Sequence, residues 1–128
     1  GWIDNDLSRL HEYCEVAESA CGWTIPVNYP VFGRDAFRTA TGVHAAAVIK
    51  SYKKGDAGLA DLVYSGVPAA LFGMQQQIEI GYMSGKSNVI YWLEKRGIEP
   101  SEERVERILS RAKESPSVLS EDEVMQLV

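Results

Sequence analysis

A histidine at the mouth of a helix, directly after a small and flexible pair, is the clearest place in this chain for proton chemistry, and Thr41-Gly42-Val43-His44 supplies one. Imidazole changes charge near neutral pH and can act as base or acid. An isolated histidine is nevertheless more often a hydrogen-bonded structural residue than a catalyst. No serine or cysteine nucleophile stands beside His44, and no pair of carboxylates in a loop completes an acid–base site. Chemistry at His44 therefore requires a site completed from elsewhere.

Three other groups of residues invite chemistry and argue against it. Gly81-Tyr-Met-Ser-Gly85-Lys86-Ser87 resembles a phosphate-binding loop, but only three residues separate Gly81 from Gly85-Lys86-Ser87 where four are needed. Ile80 occupies the position of the required glycine, so a turn leading into a helix N-terminus is the better reading. His11 and Cys14, with Cys21 and His44, are half of a conceivable zinc set, yet no paired Cys-x-x-Cys is present. Cys14 and Cys21 in one helix are separated by roughly 10 Å of rise, beyond disulfide reach. They are expected to be reduced thiols, small and buried, with His11 on the surface. Lys50, Lys53 and Lys54 could meet an anion, but they also complement the negative end of a helix dipole, which suffices to explain them.

The elements that must position these residues follow from spacing and punctuation. Leu7, Leu10, Cys14, Ala17 and Cys21 form a three-four stripe, predicting a helix from about Asp4 to Cys21. Asp4, Asn5 or Asp6 can cap it and Gly22 can end it in a left-handed turn. Trp23 to Pro30, with two prolines, reads as an extended arm. A second helix is predicted from Gly42 to Lys54, packing Val43, Ala46, Ala47 and Ile49, and a short one from Asp56 to Tyr64. Gln75 to Tyr82 reads as a short strand with Ile78 and Ile80 on one side. Three more helices follow: Val89 to Arg96, one beginning after Pro100-Ser101 with Val105, Ile108, Leu109 and Ala112 inward, and a small one capped by Ser120 and Glu123. The fold class is thus mainly α, about six helices with one short strand in two small subdomains, and without a TIM barrel in this chain.

At 128 residues and 45% apolar content, the chain can bury one good core or a pair of small ones. The formal charge of −5 argues against a nucleic-acid surface, which needs a concentrated basic face. Residues 99–128 hold eight acids and four bases, so the acid excess sits on what reads as solvated helix. No apolar run approaches the roughly 18 residues of a membrane span and no signal peptide is evident, so a cytoplasmic protein is expected.

Several motifs in order resemble one family. Pro30-Val-Phe-Gly33-Arg-Asp-Ala36-Phe37-Arg-Thr-Ala-Thr41-Gly-Val-His44 is similar to the Pro-x-x-Gly-x-x-Ala-Phe-x-x-x-Ser/Thr-Gly-Ile/Val-His segment of the 2-isopropylmalate, homocitrate and citramalate synthases. Tyr64 precedes Gly73 by nine residues, as that family's tyrosine precedes its loop-closing glycine. Ser84-Gly85-Lys86 resembles its Ser-Gly-Lys/Arg turn, and Leu93 to Gly97-Ile98 its Leu-x-x-x-Gly-Ile continuation. The chain departs from the pattern at Ser65, Pro68-Ala69 and Ala45-Ala46, where the family has an acid, Asp-Pro and, in many 2-isopropylmalate synthases, Gln-Asp.

The resemblance implies a Claisen-type condensation of acetyl-CoA with an α-keto acid, carried out in a TIM barrel that also holds a divalent metal. None of the barrel is here, and no cofactor or metal ligand is expected in this chain. The chain would be the region after the barrel: residues 1–34 a linker helix and extended arm, 35–83 a first subdomain carrying His44 and Tyr64, and 84–128 a second helical subdomain. Its partners would be its own TIM barrel and a second subunit, over whose active site His44 and Tyr64 would be placed. The expected parent is 2-isopropylmalate synthase of leucine biosynthesis, acting on 2-oxoisovalerate, with homocitrate or citramalate synthase as alternatives. The isolated chain would be inactive. A free-standing helical dimerisation module is the rival from another class.

Overall fold

A computed structural model describes residues 5–128. Among the described residues the order is α1 (Leu10–Cys21), β1 (Arg38–Thr39), α2 (Gly42–Lys53), α3 (Ala57–Leu62), a 3-10 turn (Ala69–Phe72), β2 (Gln77–Ile78), α4 (Lys86–Glu94), α5 (Glu102–Glu114) and α6 (Glu121–Met125). These residues are mainly helical, and no barrel is found among them. No helix among these residues is long and apolar enough to cross a membrane.

Two strands are present where one was expected. β1 and β2 pair in parallel, with Arg38 opposite Gln77 and Thr39 opposite Ile78. The ladder is closed by Gln77 N–H donating to Phe37 O (2.8 Å) and Glu79 N–H to Thr39 O (2.9 Å). It stops there because the chain turns at Ala40 and Thr41 into α2, leaving the rest of the 75–82 segment without a partner of strand geometry. Parallel strands need a long crossover, and α2, α3 and the 3-10 turn form it.

Two apolar clusters flank this short sheet. Ala45, Val48 and Ile49 of α2, Ala60 of α3 and Ile78 make one. Ile80, Val89, Trp92, Leu93, Val105, Ile108, Ala112, Leu119 and Val124 make the other, joining α4, α5 and α6. Ile78 and Ile80, two apart in an extended segment, thus anchor one cluster each. Leu119 N–H donates to Ile80 O (2.8 Å), tying the segment before α6 to the end of the sheet.

Several sequence expectations need correction. α1 begins at Leu10, with no side-chain cap, because the Asp6 carboxylate instead accepts from Ser8 N–H (2.9 Å) in a local turn. Asp4, the earliest start considered, lies outside the described residues. The α1 stripe has no fully buried member, and Cys14 is half-buried and Cys21 exposed, so these free thiols are not the buried pair expected. His11, expected on the surface, is half-buried, with Nδ1 enclosed and without a hydrogen-bond partner among the described residues. In α2 the inward residues are Ala45, Val48 and Ile49, whereas Val43 and Ala46 are exposed. α3 ends at Leu62, two residues before Tyr64. Gly22 does close α1 in a left-handed conformation, and Ser101 and Ser120 cap α5 and α6 as their spacing predicts.

Candidate functional site

His44 is the third residue of α2, exposed at the helix start, and the segment before it is held from beneath. Gly42 N–H donates to Met83 O (2.9 Å), and a Cβ built on Gly42 would lie 2.9 Å from Gly85 N. Gly42 is not among the glycines with positive φ. Its requirement is therefore space for the 83–85 turn, rather than the tight chain turn its position first suggests.

Two buried polar side chains fix that turn. Ser84 is 2% exposed and accepts from Gly81 N–H (2.9 Å) while its hydroxyl lies 2.7 Å from Ala40 O, to which it donates. Asn88, fully buried, donates to Glu79 O (3.0 Å) and Ala40 O (3.3 Å), and its side-chain oxygen accepts from Gly85 N–H (3.2 Å). Buried polar groups must find partners, and here the partners are the ends of β1 and β2. The Ser84-Gly85-Lys86 motif is thus a clamp on the backbone that leads into His44. Lys86 itself pairs with Glu106, whose carboxylate raises its pKa through a hydrogen bond and its charge.

Tyr64 reaches the same place from the other side. It follows α3 with φ 57°, a left-handed backbone uncommon for a bulky residue. Its ring stacks on the His44 imidazole, with centroids 4.1 Å apart and planes 20° from parallel. Tyr64 remains 67% exposed, and Val43, next to His44 in α2, is 71% exposed. Twenty residues separate Tyr64 from His44 in sequence, and the packing of α3 on α2 brings the two rings together.

The loop after Tyr64 is tied by a residue that spacing did not reveal. Asp61, 7% exposed, accepts from Ala69 N–H (2.8 Å) and Ala70 N–H (2.9 Å), the first amides of the 3-10 turn. Gln76 Nε2 approaches the same carboxylate at 3.5 Å. The available signal was a carboxylate on the inner side of an Ala-rich helix, followed within ten residues by Pro68-Ala-Ala. Burial raises the Tyr52 phenol pKa, and the nearby Asp61 charge adds to it.

The other sequence candidates are not brought to this site. Lys53 pairs with Glu94 (3.5 Å), on α4. His11 approaches Glu15 (3.3 Å) on α1, one turn along. A broad cleft of about 1080 Å³ between the sheet, α4 and the 117–121 segment is lined by Arg34, Arg38, Gln76, Trp92 and Arg96 among others, but not by His44 or Tyr64. Its arginines are already matched: Arg38 with Glu79 (2.9 Å), Arg34 with Asp35 (3.4 Å), and Arg96 with Glu121 (3.0 Å) while lying over the Trp92 ring. Among the described residues no three His, Cys, Asp or Glu side chains gather in a way that could hold a metal ion.

A stacked imidazole and phenol on an exposed face can exchange a proton with, and hydrogen-bond to, a group presented from outside. Among the described residues they have no nucleophile or second acid beside them to complete a reaction alone.

No family model matches the chain. It is 30% identical over 122 residues to a homocitrate synthase of Pyrococcus horikoshii, covering 95% of this chain and 31% of that protein. It is 29% identical over 106 residues to a probable 2-isopropylmalate synthase of Archaeoglobus fulgidus, covering 83% of this chain and 20% of that protein. It is 28% identical over 111 residues to an (R)-citramalate synthase of Aquifex aeolicus, covering 85% of this chain and 19% of that protein. The chain spans less than a third of the length of these relatives, consistent with a C-terminal region. Over most of its own length its relatives are homocitrate, 2-isopropylmalate and citramalate synthases.

Proposed function

We propose that this chain is the accessory region of an acyl-CoA condensing synthase and that it supplies His44 and Tyr64 to the active site of a second subunit. The observation that carries the reading is the stacked His44–Tyr64 pair, assembled on an exposed surface where three family-like segments meet. Val43, next to His44, Leu62, two residues before Tyr64, and Met83, whose carbonyl holds Gly42, are exposed apolar side chains, a surface suited to being covered by protein.

The chemistry gives each side chain a task. The methyl proton of acetyl-CoA is weakly acidic, so its removal needs a positioned base and a donor for the enolate oxygen that forms. His44 is suited to take the proton, directly or through a water, and the Tyr64 hydroxyl to donate to the developing oxyanion. The enolate carbon then bonds to the keto carbon, whose oxygen takes a proton, and water cleaves the thioester to release the CoA thiol. In this reading acetyl-CoA, the keto acid and a divalent metal are held by the barrel, and no metal ligand is assigned to this chain.

Homocitrate synthase is the most frequent name among the relatives, which favours a homocitrate synthase over the 2-isopropylmalate synthase first expected. Initial rates of the full-length enzyme with the keto acid of each reaction decide between them.

The role of His44 is tested in the full-length enzyme. His44→Ala should lower turnover by a factor on the order of 100 to 10,000 with little change in melting temperature. Near-normal turnover together with a lowered melting temperature would make His44 a structural residue and end this reading.

A further inference from the structure

We infer that Asp61 is a positioning residue that sets Tyr64 against His44 by pinning the far end of the loop that carries it. The inference deepens the proposed function and rests on it for its catalytic meaning, although the geometry stands by itself. Tyr64 lies in a loop of residues 63–68 between the end of α3 and the start of the 3-10 turn. Asp61 sits in the last turn of α3, and its two carboxylate oxygens accept separately from Ala69 N–H and Ala70 N–H. One buried side chain thereby joins the exit of the helix to the entry of the next turn. Ser65 closes the loop from within, its hydroxyl donating to Val67 O (2.6 Å).

The need for such a tie follows from the Tyr64 backbone. A non-glycine residue in the left-handed region holds that conformation only when its surroundings over-determine it. The His44 contact is a stack of two exposed rings and would not suffice alone. A carboxylate accepting two backbone N–H bonds in a buried place is a strong constraint, and charge-assisted bonds of this kind are roughly twice as strong as neutral ones. No part of the proposed proton chemistry uses Asp61, which is enclosed behind the loop and not on the exposed face.

The test reads the ring stack directly, by proton NMR of the 128-residue chain. Carbon-bound protons of the His44 ring lie over the Tyr64 face and should be shifted upfield of their position in a Tyr64→Ala chain. Asp61→Asn replaces one acceptor oxygen with a donor nitrogen that must face a backbone N–H. In that variant the His44 signals should move most of the way to the Tyr64→Ala position, while the methyl signals of Val89, Leu93 and Ile108 in the other cluster stay in place. A His44 resonance unmoved by Asp61→Asn would overturn the inference. If Asp61→Asn does not fold, amide exchange in the native chain decides. Ala69 and Ala70 should exchange more slowly than Gly66 and Val67, and equal exchange at all four would overturn the inference as well. Neither measurement involves turnover, so normal activity of the His44→Ala enzyme would sink the catalytic reading and leave this one standing.

Discussion

Tyr64 holds a backbone conformation that costs a residue of its size about 1–3 kcal/mol. A glycine there would be free of the steric strain but would lose the ring contact and add conformational freedom to the unfolded chain, offsetting effects of similar size. Tyr64→Gly is therefore expected to change stability by no more than about 1 kcal/mol, measured by urea denaturation, while sharply reducing turnover in the full-length enzyme. A loss above about 3 kcal/mol would make Tyr64 a packing residue instead. His44 was legible as a residue at an exposed helix start because Gly42 and the following apolar positions mark that start. Its stacking on Tyr64 could not be read from spacing, since a contact across twenty residues depends on how α3 packs on α2. Only the family resemblance named the pair. Asp61 escaped notice because a buried carboxylate looks the same in sequence as a solvated one until the amides it accepts from are known.

Secondary elements with their own start signals were read closely, and those defined by partners were not. α5 and α6 carry Ser101 and Ser120 at their caps and begin where these residues place them. The inward face of α2 was misjudged because its row of alanines gives little periodic contrast, so burial of Ala45 and exposure of Ala46 are settled by tertiary contact. β1 was missed because two residues leave no alternation to detect. The Ser84 clamp predicts that Ser84→Ala, which leaves the Gly81 amide unpaired in a buried place, destabilises the chain by about 1–3 kcal/mol in chemical denaturation. No measurable loss would show that the clamp does not hold the sheet to α4. α6 carries a pH dependence. Backbone and side-chain hydrogen bonds from Ser120 lower the Glu123 pKa below its ordinary value, with Arg111 adding to the effect. A carboxylate with a depressed folded pKa contributes stability above its unfolded pKa and loses it as pH falls through the folded one. The first turn of α6 should therefore fray as pH falls through the depressed Glu123 pKa, below the ordinary glutamate range, seen as faster exchange of the Ser120 amide, with α5 still protected. Equal loss of protection in both helices would contradict a local origin.

At the scale of the whole molecule, the exposure of Tyr64 together with Val43, Leu62 and Met83 is the feature that an isolated chain does not explain. Each Å² of such surface removed from water contributes about 25 cal/mol, so a protein cover is favoured. By spacing alone, two apolar patches could serve association, one of Leu7, Leu10 and Cys14 at the start of the chain, the other of Val89 with Trp92. The second is excluded because both residues are buried in the α4–α6 cluster. The coding sequence upstream of Gly1 is expected to supply a barrel of roughly 250 residues, and finding none would favour the free-standing module. The most direct test of a site shared between subunits is complementation in the full-length enzyme. Subunits carrying His44→Ala are mixed with subunits disabled in the barrel, under conditions where exchange of subunits is confirmed. Each preparation alone should be nearly inactive, and the mixture should recover part of the activity, because one kind of mixed site carries both intact halves. A mixture that exchanges subunits and recovers no activity would contradict the account.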